Sequence, residues 1–152
     1  MNYMNTDNTI KKEIVVKGKD KFIDDRGTIS NYYLTENINS VGLIETKTGS
    51  VRSNHYHPEQ EQKLLLVSGK YISICKDLTQ DNSPIVHQLI EPGDFVITPP
   101  MVAHTTIYIE DSVVINFVNG DRMKDNFDKH TIHYELVPPN DIHKYLEIYK
   151  DK

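Results

Sequence analysis

Short apolar runs alternating with polar residues dominate the chain. Segments rich in Val, Ile, Thr and Tyr occur at 28–35, 40–48, 51–57, 62–68, 70–76, 84–91, 94–98, 103–109, 112–118 and 130–137. Gly, Pro, Asn and Asp fall between them, which predicts strands joined by turns. Val113, Ile115 and Phe117 share one face of a strand, as do Ile132, Tyr134 and Leu136, so each of these strands has one wet side. Many short strands at this spacing predict an all-β sandwich or barrel. The pattern changes only after Pro138 and Pro139, where Asn140 or Asp141 is positioned to cap a helix and Ile142, Tyr145, Leu146 and Tyr149 form one apolar stripe. The expected organisation is a polar, mobile arm over 1–12, a β domain over 13–137, and a helix over 138–152 packed on the same domain. The polar connection over 119–129 is expected to border a pocket.

A length of 152 residues is enough for one domain with a real core and too short for two full-sized ones. Lys and Arg number 17 against 22 Asp and Glu, a formal net charge of −5. No broad basic face is available to follow a phosphate backbone, so nucleic acid is not an expected partner. A small anion remains compatible, because one or two placed arginines can hold a phosphate. The single cysteine, Cys75, excludes an internal disulfide and the Cys-rich zinc frameworks, and it is expected to be a small buried hydrophobe. Any metal site must draw on His, Asp, Glu or Gln. Apolar stretches are only a handful of residues long, and the segment MNYMNTDNTIKKE lacks the apolar middle of a secretory signal. A cytoplasmic location without a membrane partner is therefore expected.

The chemistry concentrates in two places. His55 and His57 are two residues apart in a strand and project from one face. Pro58 begins a turn, and the next strand brings Gln62 back toward His57. The unit GDFVITPPMVAH delivers His104 from another strand. His87, His130, His133 and His143 lie in no such pattern and are expected at the surface. Arg26 sits between Asp25 and Gly27, the setting of a turn arginine paired to a nearby carboxylate. Arg52 on an ideal strand points away from His55, and it reaches the same pocket only if a bulge or turn intervenes.

These residues resemble the two signature motifs of the cupins. Gly49, His55, His57, Gln62 and Gly69 follow the spacing of the first motif, and Gly93, Pro99 and His104 that of the second. Gln62 stands where the first motif usually has Glu, and the final Asn of the second falls near Tyr108. The segment RSNHYHPEQEQKLLLVSGK, with Arg52 and Gln62, resembles the dTDP-4-keto-6-deoxyhexose 3,4-ketoisomerases. NHYH and LVSGK also look like the cupin domain of capsular sugar-nucleotide epimerases, some of which hold zinc. Phe22, Asp24, Arg26 and Gly27 are similar to the opening of the dTDP-4-dehydrorhamnose 3,5-epimerases, in which the arginine helps bind diphosphate. The resemblance implies a cupin-type double-stranded β-helix, or jelly roll, with a short C-terminal helix. It also implies a homodimer that isomerises or epimerises a nucleotide-diphosphate sugar for polysaccharide synthesis. In that reading His55 or His57 is the base, and Arg26, Arg52, Gln62 and His104 bind substrate; no cofactor is required. The first alternative is a metal-dependent cupin, an oxygenase or other, with a divalent ion (Zn, Fe, Ni or Mn) on His55, His57, His104 and Gln62. The second is a cupin that binds a sugar or metabolite without turnover.

Overall fold

The computed structural model describes residues 9–17, 19–120 and 127–152. Its strands are β1 (Ile14–Val16), β2 (Lys19–Asp24), β3 (Gly27–Asn31), β4 (Ser40–Thr46), β5 (Val51–Tyr56), β6 (Gln62–Asp77), β7 (Val86–Ile90), β8 (Phe95–Thr98), β9 (Val102–Val118) and β10 (Ile132–His133). A helical turn, α1 (Phe127–His130), precedes β10, and a helix, α2 (Ile142–Ile148), follows it. Two long antiparallel strands, β6 and β9, form the frame. The first half of β6 pairs with β8 and its second half with β7, while β9 carries β5 on its first half and β4 on its second. The sheet path runs β1-β8-β6-β9-β5-β10, with β2 and β3 as a separate hairpin. The described chain is thus the expected jelly roll with a short C-terminal helix.

Each long strand replaces two shorter expected ones. The joint in β6 lies at Gly69, whose φ is +96° and where an added Cβ would collide with Ser112 and the Asp111 carbonyl on β9. Register shifts between Leu66 and Tyr71 let the strand turn without breaking its ladder. The glycine reads as a terminator in sequence, but it is a bend within one strand.

Leu64, Leu66, Tyr71, Ile90, Val96, Tyr108 and Val114 form one buried cluster inside the roll. A second cluster of Ile72, Ile74, Ala103, Ile107, Leu136 and Val137 faces α2, which contributes Ile142, Tyr145 and Tyr149. Leu146, expected in that stripe, is 38% exposed. Asp141 makes no side-chain cap; its carboxylate instead takes Lys144 at 2.8 Å. Val113, Ile115 and Phe117 do share a face, but it is the outer one, while Val114 and Val118 are buried on the inner side. Lys63 also points outward, and its buried ammonium pairs with Glu36 and with Glu61.

Residues 9–12, expected within a mobile arm, are tied down: the Lys11 amide donates to Asp77 and the Gln80 side chain to the Thr9 carbonyl. Residues 1–8 of the expected arm, and 121–126 of the expected pocket border, lie outside the described residues. The next residue in this segment, Glu13, is buried and accepts a 2.5 Å hydrogen bond from Ser73 on β6. Strand β1 follows immediately and pairs with β8, an element without enough apolar alternation to stand out in sequence. Burial pushes the Glu13 carboxyl up to about 7, opposed in part by the Ser73 hydrogen bond. Cys75, 3% exposed, behaves as the buried apolar residue expected, and burial raises its thiol to about 11.

Candidate functional site

His55 and His104 face each other directly in the β5–β9 ladder, and His57 closes the group from the end of β5. One ring nitrogen from each lies within 4.8 Å of the others. The ring centroids of His55 are 4.8 Å from His57 and 4.6 Å from His104. The expected convergence of three histidines is therefore present. His57 and His104 are 3% and 1% exposed, whereas His55 keeps partial exposure to the cavity.

Two of the rings are oriented by backbone. His57 Nδ1 lies 2.8 Å from the His130 carbonyl and His104 Nδ1 lies 3.0 Å from that of Val102. A ring nitrogen facing a carbonyl must donate, so both rings carry the proton on Nδ1 and turn Nε2 away from the carbonyl. Nε2 of His57 is 3.2 Å from Oε1 of Gln62. A charged ring donates to that oxygen; a neutral ring accepts from the same amide once its NH2 turns inward. Gln62 thus follows His57 through either protonation state, whereas a carboxylate would favour only the charged ring.

The strand carrying these residues is irregular. Ser53 and Asn54 adopt positive φ of 76° and 53°, and the register steps from Ser53↔Thr105 to His55↔His104 with Asn54 left over. The extra residue reverses the parity of the strand, so Arg52 and His55 line the same cavity. Asn tolerates this backbone, and its side chain secures it: Asn54 Oδ1 accepts from Thr105 at 2.6 Å and from the Val137 amide at 3.0 Å. Arg52 is steadied by Nε donation to Thr46 at 2.8 Å and by Nη2 donation to the Glu45 carbonyl at 3.2 Å.

The cavity measures about 700 Å³. Arg52, His55, His57 and His133 bring cationic or ionisable groups to its wall, Ile44, Val51 and Leu64 bring apolar ones, and Tyr108, Asn116 and Thr131 bring neutral polar ones. Among the described residues lining it there is no Asp or Glu, although the whole chain is acidic. A lining of this kind suits an anionic ligand with a partly apolar body.

Arg26 does not join this group. Its side chain is 80% exposed on the β2–β3 hairpin and grips Asp24 through Nε at 3.0 Å and Nη2 at 2.5 Å. The same contact holds the Asp24 carboxyl below the usual range. His133 is exposed, as expected, and it also lines the cavity, because β10 pairs with β5 and sets it opposite His55. No local motif marks it; only the strand signal over 130–137 could have led there. Tyr108, Asn116 and Thr131 were missed for the same reason. His87 packs against Tyr145 and Tyr149 and holds α2 in place.

The three histidines also fit a divalent ion, since ligating imidazoles commonly donate their other N–H to a carbonyl, as His57 and His104 do. His55, His57 and His104 would hold it, with Gln62 beside them as a neutral ligand, and such an ion would supply stabilisation of an enolate oxygen.

The fold is a jelly roll whose cavity is lined by histidines, with no Asp or Glu among the described lining residues. Residues 22–132 match the model of the polysaccharide biosynthesis C-terminal domain, and the chain belongs to that family. No curated protein is matched by sequence. Among solved structures, the chain is similar to dTDP-4-dehydrorhamnose 3,5-epimerase from Sulfolobus tokodaii, at 20% identity and a TM-score of 0.65 over 80% of this chain and 78% of that one. It is similar to the QdtA sugar 3,4-ketoisomerase from Thermoanaerobacterium thermosaccharolyticum in complex with TDP, at 16% identity and a TM-score of 0.61 over 90% and 96%. It is also similar to the capsular polysaccharide assembling protein CapF from Staphylococcus aureus, at 26% identity and a TM-score of 0.57 over 76% of this chain but only 32% of CapF.

Proposed function

We propose that the protein is an isomerase or epimerase of a nucleotide-linked 4-keto-6-deoxy sugar. The observation that carries this reading is a cavity with no Asp or Glu among its described lining residues in an acidic protein, with Arg52 and His133 beside the three converging histidines. Membership of a polysaccharide-biosynthesis family and likeness to dTDP-sugar epimerases and ketoisomerases support the same substrate class. The reaction removes a proton from the carbon next to the ketone and leaves an enediolate; in epimerisation the proton returns on the other face, and in isomerisation it returns at the former carbonyl carbon while the neighbouring hydroxyl passes its proton to the former carbonyl oxygen. His55 is the base, because it is the less buried of the two cluster histidines that line the cavity. His57 and His104, anchored through Nδ1, hold the ring cluster and the developing oxyanion, and Arg52 takes the diphosphate. No cofactor is required.

The test is incubation with dTDP-4-keto-6-deoxyglucose in deuterated water, followed by NMR of the sugar. Deuterium is expected at a carbon adjacent to the ketone. Binding without exchange for every 4-keto-6-deoxy nucleotide sugar tried would favour the alternative of a binding protein, and stoichiometric metal in elemental analysis without nucleotide-sugar binding would favour the metal-dependent one. Arg52→Ala is expected to weaken dTDP about tenfold, the effect of one lost charge-assisted bond, and unchanged affinity in calorimetry would remove its role.

The working form is a cytoplasmic homodimer. Among the described residues no helix is long and apolar enough to cross a membrane. Val41 and Leu43 on the outer face of β4, and Phe22, Ile23 and Ile29 on the β2–β3 hairpin, are all more than half exposed. An apolar surface of that extent is what closed twofold symmetry covers. A single-chain mass in light scattering at micromolar concentration would overturn the dimer.

A further inference from the structure

Asn116 is a polar residue on the cavity wall. It lies on the second half of β9, opposite Leu64 on β6 and Gly42 on β4. Its Oδ1 is buried and has no hydrogen-bond partner among the described residues. A buried amide oxygen in that condition costs stability unless a water, an ion or a ligand completes it.

The surroundings describe that ligand. Leu64 and Ile44 make the adjoining wall apolar. Gly42 leaves the space beside Asn116 open: an added Cβ there would meet only the Asn116 Cβ, at 3.6 Å, so the backbone does not demand glycine. Leu64 follows Gln62 by two residues on the same strand, and Gln62 contacts His57. Two residues of strand span ~7 Å, about the width of a sugar ring. A pyranose with its reacting carbon at the histidines therefore places a ring hydroxyl at Asn116. A hydroxyl both donates and accepts, and so satisfies the amide whichever way it is turned.

We infer that Asn116 is a specificity-determining residue that binds a hydroxyl of the sugar ring, in a subsite kept open by Gly42. The inference rests on the nucleotide-sugar reading of the cavity and adds the requirement for a hydroxylated sugar at this position.

Asn116→Leu nearly preserves volume and separates the two ideas. Titration calorimetry with dTDP, and separately with dTDP-4-keto-6-deoxyglucose, measures how much the sugar adds to affinity. The variant is expected to bind dTDP as the wild type does and to lose the added affinity of the sugar by about tenfold or more. Its melting temperature without ligand is expected to equal or exceed that of the wild type, since an unsatisfied buried group has been removed. A second variant, Gly42→Val, fills the space beside Asn116 from the opposite strand and is expected to lose the sugar increment as well. An unchanged sugar increment in Asn116→Leu, or a lowered melting temperature, would overturn the assignment of Asn116. Failure of the wild type to bind dTDP at all would instead overturn the nucleotide-sugar reading beneath it.

Discussion

Asparagine in place of His55 is expected to reduce solvent deuterium incorporation into a 4-keto-6-deoxy nucleotide sugar by at least about 100-fold, while substrate binding is largely kept. Asn offers a side chain that still hydrogen-bonds but cannot take a proton near neutral pH, and general acid–base contributions typically amount to 10²–10⁴-fold. His57→Asn is expected to match it in direction, because its ring touches the same cluster and is held by the His130 carbonyl at 2.8 Å. The two variants differ in how they respond to Gln62. If Gln62 acts by following the protonation of His57, then Gln62→Glu holds that ring charged and moves the acid limb of the rate profile to higher pH, an effect lost in a His57→Asn background. Full exchange activity in His55→Asn would exclude it as the base.

Glu13→Gln is expected to stabilise the protein above neutral pH, by roughly 3 kcal/mol once the pH is well above 7. The glutamate is 5% exposed, and its carboxyl is pushed from 4.5 up to about 7 in the folded chain, chiefly by burial. Below pH 4.5 both folded and unfolded forms are protonated and there is no penalty. Between pH 4.5 and 7 the unfolded form gives up its proton first, so stability falls as pH rises, by about 1.4 kcal/mol per unit. Above 7 both are ionised and the full penalty remains. Gln keeps an oxygen for the Ser73 hydroxyl and cannot ionise. Urea unfolding of both proteins at pH 5, 6, 7 and 8 should therefore give curves that diverge steadily up to pH 7. Parallel curves would mean that Glu13 is not buried in the ionisable form described.

The difference between what the chain announces and what it conceals has a physical basis. His55, His57 and Gln62 were legible because alternation and turn residues fix which neighbours share a face within one or two strands, whereas His104, joined to them by the distant β5–β9 pairing, was legible through its likeness to the second cupin motif. The parity of Arg52 was legible only as a condition, since a bulge requires positive φ at Ser53 and Asn54, and neither residue type dictates that by itself. His133 and Asn116 were hidden because pairing between β10 and β5, and between β9 and β4, joins segments that are far apart in sequence. The phosphate role expected for Arg26 came from a motif likeness alone, and in the folded chain its guanidinium is occupied by Asp24, away from the cavity lining. Strand β1 escaped notice because three residues that add one edge strand leave too short a pattern to read.

The bulge at Asn54 makes the site depend on a count of residues as well as on their identity. Removing that one residue would restore regular alternation to β5 and swing Arg52 to the outer side of the roll, while every cavity side chain kept its chemical type. A survey of single replacements along β5 would report tolerance at many positions and leave this dependence unseen. A library of one-residue deletions and insertions between 51 and 57 would find it at once, as a sharp loss of ligand recognition in chains that still fold.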